Sequence, residues 1–140
     1  MIDISIIVCT YKRYDLLKNC LEHLARLSEV ENTKYEILIV ENTPAIDRQD
    51  LSWIEKYKHA RVIVENVEGL SSARNAGIKA SKGQVITFLD DDAEVRPELL
   101  KQIAFAFDNH PTALLLGGKV DGDGIFFGHR RAPTRDPYHA

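Results

Sequence analysis

The chain has 140 residues, of which 44% are hydrophobic and 28% charged, with a formal net charge of −3. A chain of this length forms one domain that buries roughly two-thirds of its unfolded surface. The charge gives no broad basic field, which excludes nucleic acid as a partner on bulk charge. No apolar run approaches the ~20 residues of a transmembrane segment, and the N-terminus carries an acid rather than a basic leader, so no signal peptide is expected. The two cysteines, Cys9 and Cys20, make no disulfide framework. They read as small buried hydrophobes in a reducing, cytoplasmic setting.

Ile4-Ser5-Ile6-Ile7-Val8-Cys9 is a β-branched run with little polar alternation, the pattern of a strand covered on both faces. It exits through Thr10-Tyr11-Lys12-Arg13. Leu16, Leu17, Cys20, Leu21, Leu24 and Leu27 then recur at helical spacing, with Asp15 near the positive end of the helix dipole. Residues 35–40 form a second strand ending on Glu41-Asn42-Thr43-Pro44, and Leu51, Ile54 and Lys58 outline a shorter helix. Residues 61–65 read as a third strand. The following helix, from Gly69 to Ala80, has serines for an N-cap and a face of Ala73, Ala76, Gly77 and Ala80 that lets it lie close to a sheet. Gly77 costs helix propensity, so close packing is its expected reason, and Lys82-Gly83 stops the helix.

Next, Gln84-Val85-Ile86-Thr87-Phe88-Leu89 runs straight into Asp90-Asp91-Asp92. Strand neighbours point to opposite faces, so Asp90 and Asp92 can face one side together while Asp91 faces the other. Paired carboxylates at the end of a buried strand repel each other unless a cation sits between them. Oxygen-only ligands suit a hard ion such as Mg²⁺ or Mn²⁺. The plainer alternative is a solvated acidic turn that begins a helix. Three Asp after an apolar strand favour the metal site. Pro97 opens the next helix, whose apolar face continues through Leu99, Leu100, Ile103, Ala104 and Phe107. Residues 113–116 read as a fifth strand closing on Gly117-Gly118. From Asp121 onward Gly, Pro and basic residues dominate and periodicity is lost, so 121–140 reads as loop or the start of a further part.

Strand and helix alternate from end to end, which predicts an α/β fold with a mainly parallel, Rossmann-like sheet and helices on both faces. Ligands of such sheets bind beyond the carboxyl ends of the strands. That rule gathers residues 10–13, 41–43 and 90–92 on one rim. No G-x-G-x-x-G follows the first strand and no Walker-type loop occurs, so those phosphate sites are unsupported. Tyr11 can stack on a base and Arg13 can contact phosphate, unless both merely sit in an exposed helix-entry loop. Glu41 can accept from a base or ribose hydroxyl or simply end its strand. Arg74 can pair with a diphosphate or with Asp90 or Glu41.

The four pieces Ser5–Arg13, Ile39–Asn42, Gly69–Gly77 and Phe88–Asp92 with Pro97 behind it, in this order and spacing, resemble the family 2 glycosyltransferases with the GT-A fold. The resemblance covers nearly the whole chain and implies a nucleoside-diphosphate sugar as substrate, most often a UDP-sugar. It implies that Thr10, Tyr11 and Arg13 lie around the base and that Glu41 stands where an acidic residue, usually Asp, contacts base or ribose. Arg74 and Asn75 would lie near ribose and diphosphate. Asp90 and Asp92 match the D-x-D pair, with Asp92 as the direct ligand of Mn²⁺ or Mg²⁺, Asp90 nearer the ribose and Asp91 also at the nucleotide. Residues 1–120 would then be the nucleotide-sugar-binding domain. Such enzymes, common in polysaccharide biosynthesis, invert the anomeric centre through attack by a hydroxyl of a glycan, lipid or protein acceptor.

That attack needs a general base, which in the family lies downstream of the fifth strand and so beyond Ala140. Asp121, Asp123 and Asp136 sit in no recognisable family motif, and no catalytic base is assigned. Two other readings stand beside this one. A sugar nucleotidyltransferase also uses a carboxylate-held metal but usually has a Gly-rich basic loop after its first strand, where Thr10 to Arg13 has no glycine. A non-catalytic nucleotide-sugar-binding module would keep the D-x-D pair without the base.

Overall fold

A computed structural model describes residues 1–118 and the backbone of 126–130. Three strands, β1 (Ile4–Thr10), β2 (Tyr35–Glu41) and β3 (Ala60–Val64), precede β4 (Val85–Asp90), β5 (Leu115–Gly118) and β6 (Phe126–Arg130). They form one sheet in the order β3-β2-β1-β4-β6-β5. The first four are parallel, and β6 runs antiparallel between β4 and β5. The mainly parallel α/β expectation therefore holds. The register sets the shape of the rim: Thr10 pairs with Glu41 and Cys9 with Asp90, so β1, β2 and β4 end level with one another.

Alternation along the central strands divides the core between two faces. Ile4, Ile6 and Val8 meet Leu17, Cys20, Leu21 and Leu24 of α1 (Tyr14–Leu24) and Leu100, Ile103 and Phe107 of α3 (Leu99–Asn109). On the other face Ile7, Leu38, Val40 and Ile86 pack against Ala73 of α2 (Leu70–Ala80). The small-residue face of α2 has the reason expected of it. A Cβ on Gly77 would lie 2.6 Å from Ile7 Cγ2 and 3.2 Å from Val40 Cγ2.

Several local expectations need correction. The helix predicted around Leu51 to Lys58 is a short 3-10 helix, Ser52–Lys56. Asp50 accepts from Ser52 N–H at 3.1 Å and Oγ at 2.7 Å, a local turn that competes with α-helical bonding. Leu16, assigned to the apolar stripe of α1, is exposed. No serine caps α2: its N-cap is Gly69, at φ +130°, a conformation only glycine adopts easily. Pro97 lies two residues ahead of α3 rather than in its first turn. The fifth strand contains Gly117 and Gly118 instead of closing on them, and residues 126–130, read as loop, form β6. Asp121, Asp123 and Asp136 lie outside the described residues.

Gly83 does more than end α2. It is buried, its N–H donates to Ser5 Oγ at 2.8 Å, and an added Cβ would meet Ser5 N at 2.5 Å and Ile4 C at 2.8 Å. The obstacle is the backbone of the central strand, which cannot rotate away. We expect Gly83→Ala to lose about 2 kcal/mol, the middle of the overpacking range. Urea denaturation measures it; an unchanged midpoint would show that β1 yields at this point.

Candidate active site

A cavity of about 570 Å³ opens where the level ends of β1 and β4 meet the start of α2. The end of β1 supplies Cys9, Thr10, Tyr11 and Arg13, and the end of β4 supplies Asp90, Asp91 and Asp92. Asn42, Glu68, Gly69, Leu70 and Ala73 complete the walls.

The three aspartates lie in a tight turn in which Ala93 N–H donates to Asp90 O at 3.0 Å. Asp91 is buried and accepts from Thr10 Oγ1 at 3.0 Å. Burial pushes its carboxyl above the usual range, against the opposing pull of the Arg13 guanidinium and the Thr10 hydroxyl. Arg13 Nη2 lies 2.8 Å from Asp92 Oδ2 and 3.4 Å from Asp91 Oδ1, so one cation spans two carboxylates. Asp90 and Asp92 are both exposed. Exposure thus separates the pair from Asp91, although only Asp90 belongs to β4 and the other two lie in the turn after it. Thr10 and Asp91, both assigned to the nucleotide, bond to each other.

Among the described residues no three His, Cys, Asp or Glu side chains gather as a closed metal site. Two exposed carboxylates on one turn nevertheless fit Mg²⁺ or Mn²⁺, since such ions are usually held by one or two carboxylates together with substrate phosphates. Asp92 is already paired with the Arg13 guanidinium, which an ion at this turn would share or displace.

Glu41 ends β2. It is fully buried and forms no part of the cavity wall. Its Oε1 accepts from Thr43 N–H at 2.8 Å and its Oε2 from Tyr14 Oη at 2.8 Å. Gln49 N–H donates in turn to Tyr14 Oη at 3.2 Å, and Lys12 N–H to Thr43 Oγ1 at 2.9 Å. Glu41 therefore ties the exit of β1, the start of α1 and the loop after β2 into one rim. Next to it, the Asn42 amide donates to the carbonyls of Glu65 and Val67, both at 2.8 Å, and its Oδ1 accepts from Gly69 N–H at 2.9 Å. This one side chain fixes the loop that carries Glu68.

Tyr11 is 42% exposed and donates through Oη to Glu68 Oε1 at 3.0 Å. That hydrogen bond is the leading cause that holds the phenol above its ordinary pKa. Lys12 Nζ lies 5.5 Å from the Tyr11 ring and 2.7 Å from Asp47 Oδ2. Arg74 stands half-buried over the Phe88 ring at 5.5 Å, forms no ion pair with Asp90 or Glu41 among the described residues, and does not line the cavity. Asn75 is exposed and also outside the wall. Cys9 is half-buried at the cavity, where burial pushes its thiol up to about 11 and keeps it protonated. The roles of Asn42 and Glu68 were missed from sequence.

Residues 5–138 match the profile described as glycosyl transferase family 2. The chain belongs to that family. It is 29% identical over 132 residues to the poly(ribitol-phosphate) beta-N-acetylglucosaminyltransferase TarS of Staphylococcus aureus, covering 89% of this chain and 22% of TarS. Against the poly(ribitol-phosphate) beta-glucosyltransferase of Bacillus spizizenii it is 32% identical over 124 residues, covering 85% of this chain and 19% of the relative. The chain thus spans about a fifth of the length of these curated relatives. The crystal structure of S. aureus TarS 1–349 in complex with UDP-GlcNAc superposes with a TM-score of 0.71 at 26% identity, covering 88% of this chain and 36% of that one. A mannosyltransferase from Pyrobaculum calidifontis, in complex with GDP-Man and Mn²⁺, shares the fold with a TM-score of 0.74 at 18% identity, covering 91% of this chain and 44% of its own. The family and these structural neighbours identify the sheet and its helices as a GT-A fold.

Proposed function

We propose that this chain binds a nucleoside-diphosphate sugar, a UDP-sugar first of all. It is the donor-binding part of a metal-dependent, inverting glycosyltransferase whose acceptor hydroxyl belongs to a glycan, lipid or protein. The observation that carries this reading is the exposed pair Asp90, level with the end of β1, and Asp92, paired with Arg13, in one cavity. Family membership and the UDP-GlcNAc named with the TarS structure support it. A cytoplasmic place, in solution or at the inner face of a membrane, and a part in polysaccharide assembly accord with it. Among the described residues no helix is long and apolar enough to cross a membrane.

In this proposal Asp92 and Asp90 hold Mn²⁺ or Mg²⁺, and Asp91 stays beneath them as the anchor of Thr10. The ion supplies Lewis-acid stabilisation of the charge that develops on the leaving nucleoside diphosphate. Arg13, paired with Asp92, can transfer its hydrogen bonds to a phosphate oxygen, because a guanidinium serves carboxylate and phosphate alike. Tyr11 offers a ring face to the base. Arg74 and Asn75, outside the wall, would reach ribose and diphosphate only by swinging from the start of α2. The general base remains unassigned.

Calorimetric titration of UDP with and without Mn²⁺ tests the proposal. Each ligand covers the other's charge, so each raises the other's affinity reciprocally. Equal affinities would remove the metal from the mechanism. Hydrolysis of a UDP-sugar by the chain, assayed alongside, separates an enzyme from a module that only binds.

A further inference from the structure

The cavity holds a carboxylate that the D-x-D pair does not use. Glu68 stands on the loop before α2, exposed, with Tyr11 Oη donating to its Oε1 at 3.0 Å. It faces the cavity, whereas Glu41, the acid that the resemblance gives to the base, is fully buried with both oxygens taken by Thr43 and Tyr14. Asn42 holds the Glu68 loop by three hydrogen bonds, so its position is built rather than incidental.

A diphosphate belongs near Asp90 and Asp92 only when a cation joins them, and Lys12, the cation within electrostatic range of Glu68, is already paired with Asp47 at 2.7 Å. A carboxylate there repels phosphate and favours the uncharged part of a nucleotide. Two apolar surfaces share this part of the cavity, the Tyr11 ring and Leu70, which is 54% exposed. Flat apolar surface beside an acceptor-only group is the chemistry that receives a base.

Resting on the proposal that the chain binds a nucleotide, we propose that Glu68, positioned by Tyr11 and Asn42, is the specificity-determining residue that reads the base. An ionised carboxylate only accepts hydrogen bonds. Set against the ring nitrogen of the base, it therefore selects a ring N–H, as uracil and guanine present there. Adenine and cytosine present a bare ring nitrogen there, which a carboxylate repels, and offer it only the neighbouring exocyclic amine. Glutamine, which both donates and accepts, loses that distinction. Glu41 acts at one remove, by fixing the rim.

The test is titration of the 140-residue chain with UDP, GDP, CDP and ADP in Mn²⁺, repeated on Glu68→Gln and Glu41→Gln. The original chain should bind UDP or GDP at least about tenfold more tightly than CDP and ADP, the scale of one charge-assisted hydrogen bond. Glu68→Gln should cut that ratio to near one by weakening the favoured diphosphate while CDP and ADP hold or gain. Glu41→Gln should leave the ratio as it was. Equal loss of all four on Glu68→Gln would place the carboxylate on ribose and overturn the inference, as would loss of the ratio on Glu41→Gln alone. Binding without base preference in the original chain overturns it too, yet leaves the nucleotide reading standing. Absence of any nucleotide binding overturns both.

Discussion

Glu36→Ala should remove about 3 kcal/mol of stability and lower Tm by roughly 10 °C. Glu36 lies at the opposite end of β2 from the cavity and is almost fully buried. Its Oε1 accepts from Ser5 Oγ and from Lys82 N–H, both at 2.7 Å, and its Oε2 from Arg61 Nε at 3.0 Å. Ser5 Oγ also accepts from Gly83 N–H, so one carboxylate joins β1, β2, β3 and the entry to β4. Truncation strands a buried hydroxyl and an ion-pair partner. We take the low end of the ~3–5 kcal/mol range for breaking a buried pair, because the Arg61 side chain is 37% exposed and can recover water.

The same residue predicts a pH dependence. Burial alone would push the Glu36 carboxyl up, but the hydrogen bonds from Ser5, Lys82 and Arg61 outweigh it and the net shift is downward. A carboxyl depressed by folding stabilises the native state above its unfolded value of about 4.3, and that contribution disappears as pH falls through the folded value. Glu36→Gln, which keeps the shape and removes the charge, should be less stable than the original chain at about pH 7. The gap should narrow below about pH 4. A gap that stays constant from about pH 7 to about pH 3 would show that shape, not charge, is what the network needs.

How much of this was legible in the sequence depended on the range of the forces involved. β1, β2 and β4 announce themselves because buried parallel strands need near-continuous apolar runs, and Ile4–Cys9 and Val85–Leu89, each interrupted by one hydroxyl side chain, supply them. Gly77 announced close packing because a helix has no local reason to hold it. β6 did not show, since Phe126-Phe127-Gly128-His129-Arg130 has no clean alternation and its pairing with β4 is a long-range matter. The Asp50 turn and the capping role of Gly69 were likewise hidden, because serines and an apolar spacing suggested the commoner helix devices.

At the site, the aspartates stood out because an acidic run at the end of an apolar strand is a local pattern. The fate of Glu41 was not legible. An acid at the end of a strand reads as solvated, and only the folded chain brings Tyr14 Oη and Thr43 N–H onto its two oxygens. Asn42 was visible as part of a motif, without the loop that it fastens. Glu68 carried no signal at all, being one acid in a loop until Tyr11 is placed 3.0 Å away.

Asp92→Asn should weaken metal-dependent nucleotide binding by about 1–3 kcal/mol, the usual scale of a coupling energy. The amide keeps the size of the side chain but removes the charge that would hold the cation. Without metal the affinity should scarcely change, so the ratio of affinities with and without Mn²⁺ is the sensitive readout. The fold should tolerate the change. The Asp92 side chain is 50% exposed, so its 2.8 Å pair with Arg13 contributes within the ~0–1 kcal/mol of a surface ion pair. Arg13 also keeps Asp91 Oδ1 within 3.4 Å, and an Asn carbonyl can still accept from it. Relief of repulsion among three neighbouring carboxylates offsets part of what is lost. If the aspartates were only a solvated turn, the balance would reverse: apo stability would fall by about 1 kcal/mol or less, as for a lost cap, and binding would be untouched. Melting the apo variant and titrating it with UDP and Mn²⁺ distinguishes the two on one sample. A metal-dependent affinity that survives Asp92→Asn intact would move the cation away from the end of β4.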